Sequence, residues 1–293
     1  MNFRNILSEI EQAEPGVYEQ IKGRRQVLKT FGVKAAVAAL PLVFSSVFNK
    51  AKASGKTTDA TPTPVQVLNF VLELEYFDYN YYHIANNTGG LIPASDQAGF
   101  LTVENQKKAH INYLNATITT LGGTPYTPKN YDPTSANPLF VVSGAYDFTA
   151  GGTYAVFNDY PTFIMFAEVF EDTFVHAYIG QTPNALGNST LLAQLLQMQS
   201  VVARHASYAR LVRRFLGFAS APEHPAPWIT NNIPPMASLQ SYYNGEETSW
   251  QENQSITSLP GLTGTTPMTA ATAAFDEPLD VPTVLTSLTP FML

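Results

Sequence analysis

The chain has 293 residues, of which 45% are hydrophobic and only 13% charged; an ordinary soluble domain carries about 25% charge. It contains no cysteine, which excludes disulfides, thiolate metal sites and cysteine nucleophiles. The net charge of −7 is concentrated late in the chain, where residues 221–293 hold Glu223, Glu246, Glu247, Glu252, Asp276, Glu277 and Asp280 and no Lys or Arg. With no basic stripe carrying interleaved aromatics, nucleic acid is not an expected partner.

Residues 23–53 read GRRQVLKTFGVKAAVAALPLVFSSVFNKAKA. Paired arginines, a moderate apolar run and a small-x-small sequence at Ala51-Lys52-Ala53 are the parts of an export signal. The Arg24-Arg25 pair with Leu28-Lys29 downstream resembles a twin-arginine signal. Residues 1–53 are therefore expected to engage an export machinery and to be cleaved after Ala53, which sends the protein to the periplasm or outside the cell. The apolar run is about 16 residues, short of the roughly 20 that span a bilayer, so no stable membrane span is expected after cleavage. Residues 54–63 read as a polar linker.

Four long helices follow over 64–218. Thr63-Pro64 offers an N-cap and a proline at the first helical position, and the first helix runs from Pro64 to about Asn86. Leu68, Leu72, Glu75, Tyr79 and Tyr82 share its apolar face. The second starts near Ser95-Asp96 and stops at Gly122-Gly123, with Phe100, Val103, Lys107, His110, Leu114, Thr117 and Leu121 in a stripe. Asn158-Asp159-Tyr160-Pro161 caps the third, which runs to Gly180 with Ile164, Ala167, Glu171, Phe174 and Tyr178 on one face. The fourth starts near Asn188-Ser189 and ends at Gly217. Its stripe, Leu191, Leu195, Met198, Val202, His205, Ala209, Val212 and Leu216, keeps a seven-residue repeat, the period of a packed bundle. Short loops join the helices within each pair, and a long Pro-, Gly- and Tyr-rich crossover joins the pairs. That connectivity predicts an all-α four-helix bundle of ferritin-like type. Residues 219–293, rich in Pro and Thr, read as an acidic strap with a short terminal helix near Val281–Phe291.

The two helix pairs echo one another. Glu75 precedes His110 by 35 residues, and Glu171 precedes His205 by 34. Each glutamate lies mid-helix on an apolar face of the first helix of its pair, and each histidine lies mid-helix in the second.

On these residues the chain resembles the ferritin-like superfamily, and within it exported bacterial ferritin-like domain proteins related to plant desiccation-related proteins. The segments that carry the resemblance are VLNFVLELEYFDYNYY (67–82), KKAHINYLNATITTLGGTPY (107–126), FEDTFVHAYIG (170–180) and SVVARHASYARLVRRFLG (200–217), with AFDEPLDVPTVLTSLTPF (274–291) similar to the family's C-terminal strap. The resemblance implies a carboxylate-bridged dimetal site: one Glu from each of two helices and a Glu-x-x-His from each of the others. Glu75, Glu171, His110 and His205 match that pattern. The acids of both Glu-x-x-His motifs are missing, and Lys107 and Val202 stand in their places.

Two acids cannot balance the four positive charges of two divalent metals, and unpaired buried charge costs several kcal/mol per ion. A single Fe, Mn or Zn held by Glu75, His110, Glu171 and His205 is reasonable by ligand type, but Lys107 stands close by. The favoured expectation is a degenerate site with no metal and no other cofactor, in which Lys107 replaces the cation and pairs with Glu75, Glu171 or both. Two functions remain open: a non-enzymatic, structural or stress-related exported protein, and a metal-dependent oxidase or metal-storage protein using the incomplete ligand set. No catalytic residue is assigned, and a homo-oligomer stays open.

Three further features have plain readings. The aromatics Tyr76, Phe77, Tyr79, Tyr81 and Tyr82 are expected to pack both faces of the first helix. His83, two turns past Glu75, is read as a surface or capping residue rather than as a flank of the site, and His176 as structural. Arg204, Arg210, Arg213 and Arg214 are read as positive charge suited to the C-terminal end of a helix dipole.

Overall fold

The computed structural model describes residues 62–140, 144–217, 226–251, 254–258 and 267–293, within the compact unit Asp59–Leu293. The expected export signal over 1–53, most of the linker and parts of the strap lie outside the described residues.

The bundle is all-α. Its four helices are α1 (Pro64–Asn87), α2 (Ala94–Thr120), α3 (Tyr160–Gln181) and α4 (Ser189–Phe215). Local chemistry sets their starts. The Thr63 hydroxyl accepts from the Gln66 N–H while the Gln66 side chain accepts from the Thr63 N–H, a capping box ahead of Pro64. Asp159 caps α3 by accepting from the Thr162 N–H at 2.9 Å, and Asn188 caps α4 by accepting from the Leu191 N–H at 3.0 Å. Positive φ at Gly122 and Gly217 turns the chain away after α2 and α4.

Helices α1 and α2 pack as one pair and α3 and α4 as the other. Their inward stripes make a continuous core containing Leu68, Leu72, Phe100, Leu114, Ile164, Ala167, Leu195 and Val202. The expected stripes fail only at their ends: Leu121 and Leu216 are exposed, Thr117 is half-buried, and Ile118 beside it is fully buried. A straight helix of 3.6 residues per turn drifts off a strict seven-residue repeat, and the drift accumulates toward the last turn.

Helix α1 is buried on every side. The crossover from α2 to α3 covers its outer face: Tyr76 packs on Tyr126 and Tyr131, and Phe77 on Tyr146 and Phe148. Both faces of α1 are thus packed, as the aromatic run implies.

The strap contains a 3-10 turn (Ala237–Tyr243), a minimal antiparallel pair of β1 (Trp250–Gln251) and β2 (Gln254–Ser255), α5 (Pro267–Thr272), α6 (Val281–Leu288) and a last 3-10 turn (Thr289–Phe291). It is bonded to both the bundle and the crossover. The Leu279 N–H donates to the His176 carbonyl at 3.1 Å, the Asp147 N–H to the Phe291 carbonyl at 2.8 Å, and the Leu293 N–H to the Ala145 carbonyl at 3.0 Å. Phe291 enters the core, with its ring centroid 5.1 Å from that of Phe170 and 5.8 Å from that of Phe166. Gly180 permits the close approach of the strap: a Cβ there would collide with the Leu279 carbonyl. Among the described residues no helix is long and apolar enough to cross a membrane.

Candidate functional site

Mid-bundle, each helix delivers polar side chains to one buried layer. Helix α1 supplies Glu75 and, one turn on, Asp78; α2 supplies Gln106, Lys107 and His110; α3 supplies Glu171 and Tyr178; α4 supplies His205. Lys107, Asp78 and Glu171 are 0% exposed.

Lys107 is the hub. Its Nζ lies 2.6 Å from Asp78 Oδ2 and 2.8 Å from Glu171 Oε2, and it sits over the Phe174 ring. Glu75 is held by other groups: the Tyr178 hydroxyl donates to Glu75 Oε1 at 2.6 Å, and His110 Nδ1 lies 3.2 Å from the same oxygen. His205 sits between Gln106 Oε1, 2.6 Å from its Nε2, and Glu171 Oε1, 3.3 Å from its Nδ1. The structure therefore brings all four Glu and His residues of the repeated pattern into one layer. It pairs Lys107 with Glu171 and Asp78, and leaves Glu75 to His110 and Tyr178. Val202 is a fully buried apolar side chain of the core.

The electrostatics follow from three carboxyls around one ammonium. Burial alone would lower Lys107, but Asp78, Glu171 and Glu75 hold its pKa above the ordinary lysine value. Burial pushes Glu75 up, and Lys107 and His110 outweigh it, leaving Glu75 at about 2. Glu171 is likewise lowered by Lys107 and His205 against the burial that raises it. Asp78 goes the other way, raised by burial and by the charge on Glu171. Burial pushes His205 down, which favours a neutral ring.

A family model of the ferritin-like domain matches residues 63–214, more than half of the chain. The chain belongs to the ferritin-like domain family. No curated protein matches it. In this ferritin-like domain the donor set does not fit the two divalent ions implied by the fold family. The central position is taken by an ammonium already bonded to two carboxylates, and an added cation within reach of them would meet like charge in a buried layer.

A second ionic layer lies nearer the start of α3 and the end of α4. Arg210 pairs with Glu168 Oε1 at 3.0 Å and with Asp172. Arg213 Nε and an Nη bond both oxygens of Glu168 at 2.6 and 2.9 Å, and the Tyr243 hydroxyl of the strap donates to Asp172 at 2.6 Å. The expectation that Arg210 and Arg213 merely suit the helix dipole is corrected: both are buried and bridge α4 to α3. A signal for this was present, because Glu168 and Asp172 are i, i+4 on α3 and Arg210 and Arg213 are i, i+3 on α4.

His83 lies at the other side of α1, 2.7 Å from Glu104 Oε1 and stacked on Tyr79. Glu104 is thereby drawn to His83 and Asn86. His176 faces the strap instead. Among the described residues His176, Glu246 and Asp276 each offer a ligand atom, all within 4.8 Å of one another. Burial holds the His176 imidazole at about 3, so it is neutral, and burial with Asp276 and Glu277 nearby pushes Glu246 up to about 8. Asp78, Glu246 and Asp276 were not among the site residues expected from the sequence. Asp78 was signalled by its i+3 spacing from Glu75; the other two lie in a segment without periodicity.

Proposed function

We propose that this is an exported ferritin-like protein that acts structurally or in stress protection, with no enzymatic activity and no metal at its bundle centre. The observation that carries the reading is the Lys107 ammonium, fully buried between Asp78 and Glu171. It supplies the positive charge that those carboxylates otherwise need from a metal, and brings three N–H donors with it. Glu75, His110, Glu171 and His205 remain around it as a relic ligand set held by hydrogen bonds. The Arg24-Arg25 segment supports export, and the similarity of 67–82 and 274–291 to desiccation-related proteins supports the stress-related role.

The test is Fe²⁺-dependent oxygen consumption together with metal analysis of the purified chain. The expected outcome is no oxygen consumption above a protein-free control, and no Fe or Mn that depends on His110 or His205. Iron or manganese that is released when His110 and His205 are replaced would overturn the reading. The Lys107→Glu/Val202→Glu double variant restores both missing acids, and it should bind two equivalents of Fe²⁺ or Mn²⁺ where the native chain binds none at this layer.

A further inference from the structure

The strap carries a second cluster of donors, remote from Lys107. His176 projects from the last turns of α3, Glu246 follows the 3-10 turn at Ala237–Tyr243, and Asp276 precedes α6. His176 and Glu246 are buried, and Asp276 is exposed. We propose that these three residues bind one divalent transition-metal ion, with Zn²⁺ the best match, and that the ion clasps the strap to the bundle.

Four observations carry the proposal. First, the His176 Nε2 and Glu246 Oε2 atoms are buried and lack hydrogen-bond partners. Buried polar atoms are rarely left so, and the other Glu246 oxygen, Oε1, accepts from the Glu277 N–H at 3.2 Å while facing His176 Nε2. Second, the spacing is right. His176 Nε2 and Glu246 Oε1 are 3.5 Å apart, and ligand atoms about 2.1 Å from a tetrahedral ion lie roughly 3.4 Å from one another. Asp276, within 4.8 Å of both, needs only a small side-chain movement, and its exposure gives it that freedom.

Third, the adjoining cavity of about 170 Å³, lined by His176, Asp276, Arg210 and Trp228, has room for the water that completes an open zinc coordination sphere. Fourth, the cation lining this cavity is already engaged: Arg210 is bonded to Asp172 and Glu168. One neutral imidazole with two carboxylates is a borderline N/O set, which suits Zn²⁺ better than Ca²⁺ or Mg²⁺. The ligands come from α3 and from two separate strap segments, so binding favours only the docked strap, and metal affinity becomes folding stability.

The experiment uses the full chain, stripped with EDTA and titrated with Zn²⁺ by calorimetry, with Trp228 fluorescence as a local reporter. One equivalent should bind and change the emission, and Zn²⁺ should slow proteolysis of the strap. Because His176 is deeply buried, Asp276→Asn serves beside His176→Ala; each should weaken binding at least about tenfold while the helical circular dichroism is kept. Absence of stoichiometric binding, or equal binding in native, His176→Ala and Asp276→Asn proteins, overturns the proposal. Binding that is lost in His110→Ala but kept in Asp276→Asn would place the ion in the bundle layer and overturn the metal-free reading as well. Loss in Asp276→Asn alone leaves that reading standing.

Discussion

Lys107 illustrates how one side chain can settle the chemistry of a layer. Replacing it with Met removes the ammonium bonded to Asp78 and Glu171 and strands their charge in the core. The expected cost is about 3–5 kcal/mol, the usual price of breaking a buried pair from one side. Urea denaturation should show that loss, and Lys107→Met combined with Asp78→Asn and Glu171→Gln should recover much of it. Glu75 gives a pH signature. Its folded value of about 2 lies below the ordinary 4.5, so its ionised form adds stability that is complete above pH 4.5 and is lost as the pH falls toward 2. Glu75→Gln should flatten the fall of the urea midpoint in that window; a fall as steep as native would refute this.

Glu246 has the opposite sign. Raised to about 8, its protonated form adds stability present below about pH 4.5 and lost as the pH rises through 8. Metal-stripped protein should therefore be less stable at pH 9 than at pH 6. Glu246→Gln should remove part of that difference, and Asp172, which burial and Glu168 raise to about 7, contributes a further part.

At the scale of elements, the contact between α3 and the strap depends on the absence of a side chain at Gly180. Gly180→Ala would drive a methyl into the Leu279 carbonyl and break the bond from the Leu279 N–H to the His176 carbonyl. A destabilisation of about 1–3 kcal/mol is expected, with strap cleavage by protease accelerated more than cleavage within the bundle. The four helices were legible in the sequence because caps, prolines and glycines punctuate them and their stripes persist over many turns. Glu75, His110, Glu171 and His205 were legible because their spacing repeats.

Asp78 carried a signal in its i+3 spacing from Glu75, but it sits inside an aromatic run whose packing explains the segment without it. The Arg210 and Arg213 layer was hidden by position: a basic last turn has a sufficient local explanation, and only the facing Glu168 and Asp172 reveal the pairing. Glu246 and Asp276 lie in strap segments whose neighbours are chosen by tertiary contact rather than by any local period.

At the scale of the whole molecule, the strap is part of the core and not an appendage. Phe291 packs against Phe77, Phe166 and Phe170, and the strap's backbone bonds the crossover at Ala145 and Asp147. Phe291→Ala should cost about 3–5 kcal/mol. A fragment ending at residue 217 should unfold at lower urea than the full chain and bind a hydrophobic dye, because that aromatic surface is left open. A fragment as stable as the full chain would show that the bundle closes without its strap.

The contact between Phe77 and Phe291 also bears on how fast the molecule forms. Helical bundles ordinarily fold quickly, because their contacts are close in sequence. Here an aromatic of the first helix meets a ring more than two hundred residues further along the chain. The entropy of closing so long a loop must be met before that contact gives anything back. Helix formation should thus run well ahead of aromatic packing, as an early far-ultraviolet signal followed by a slower near-ultraviolet one, with the strap's arrival setting the pace of the second.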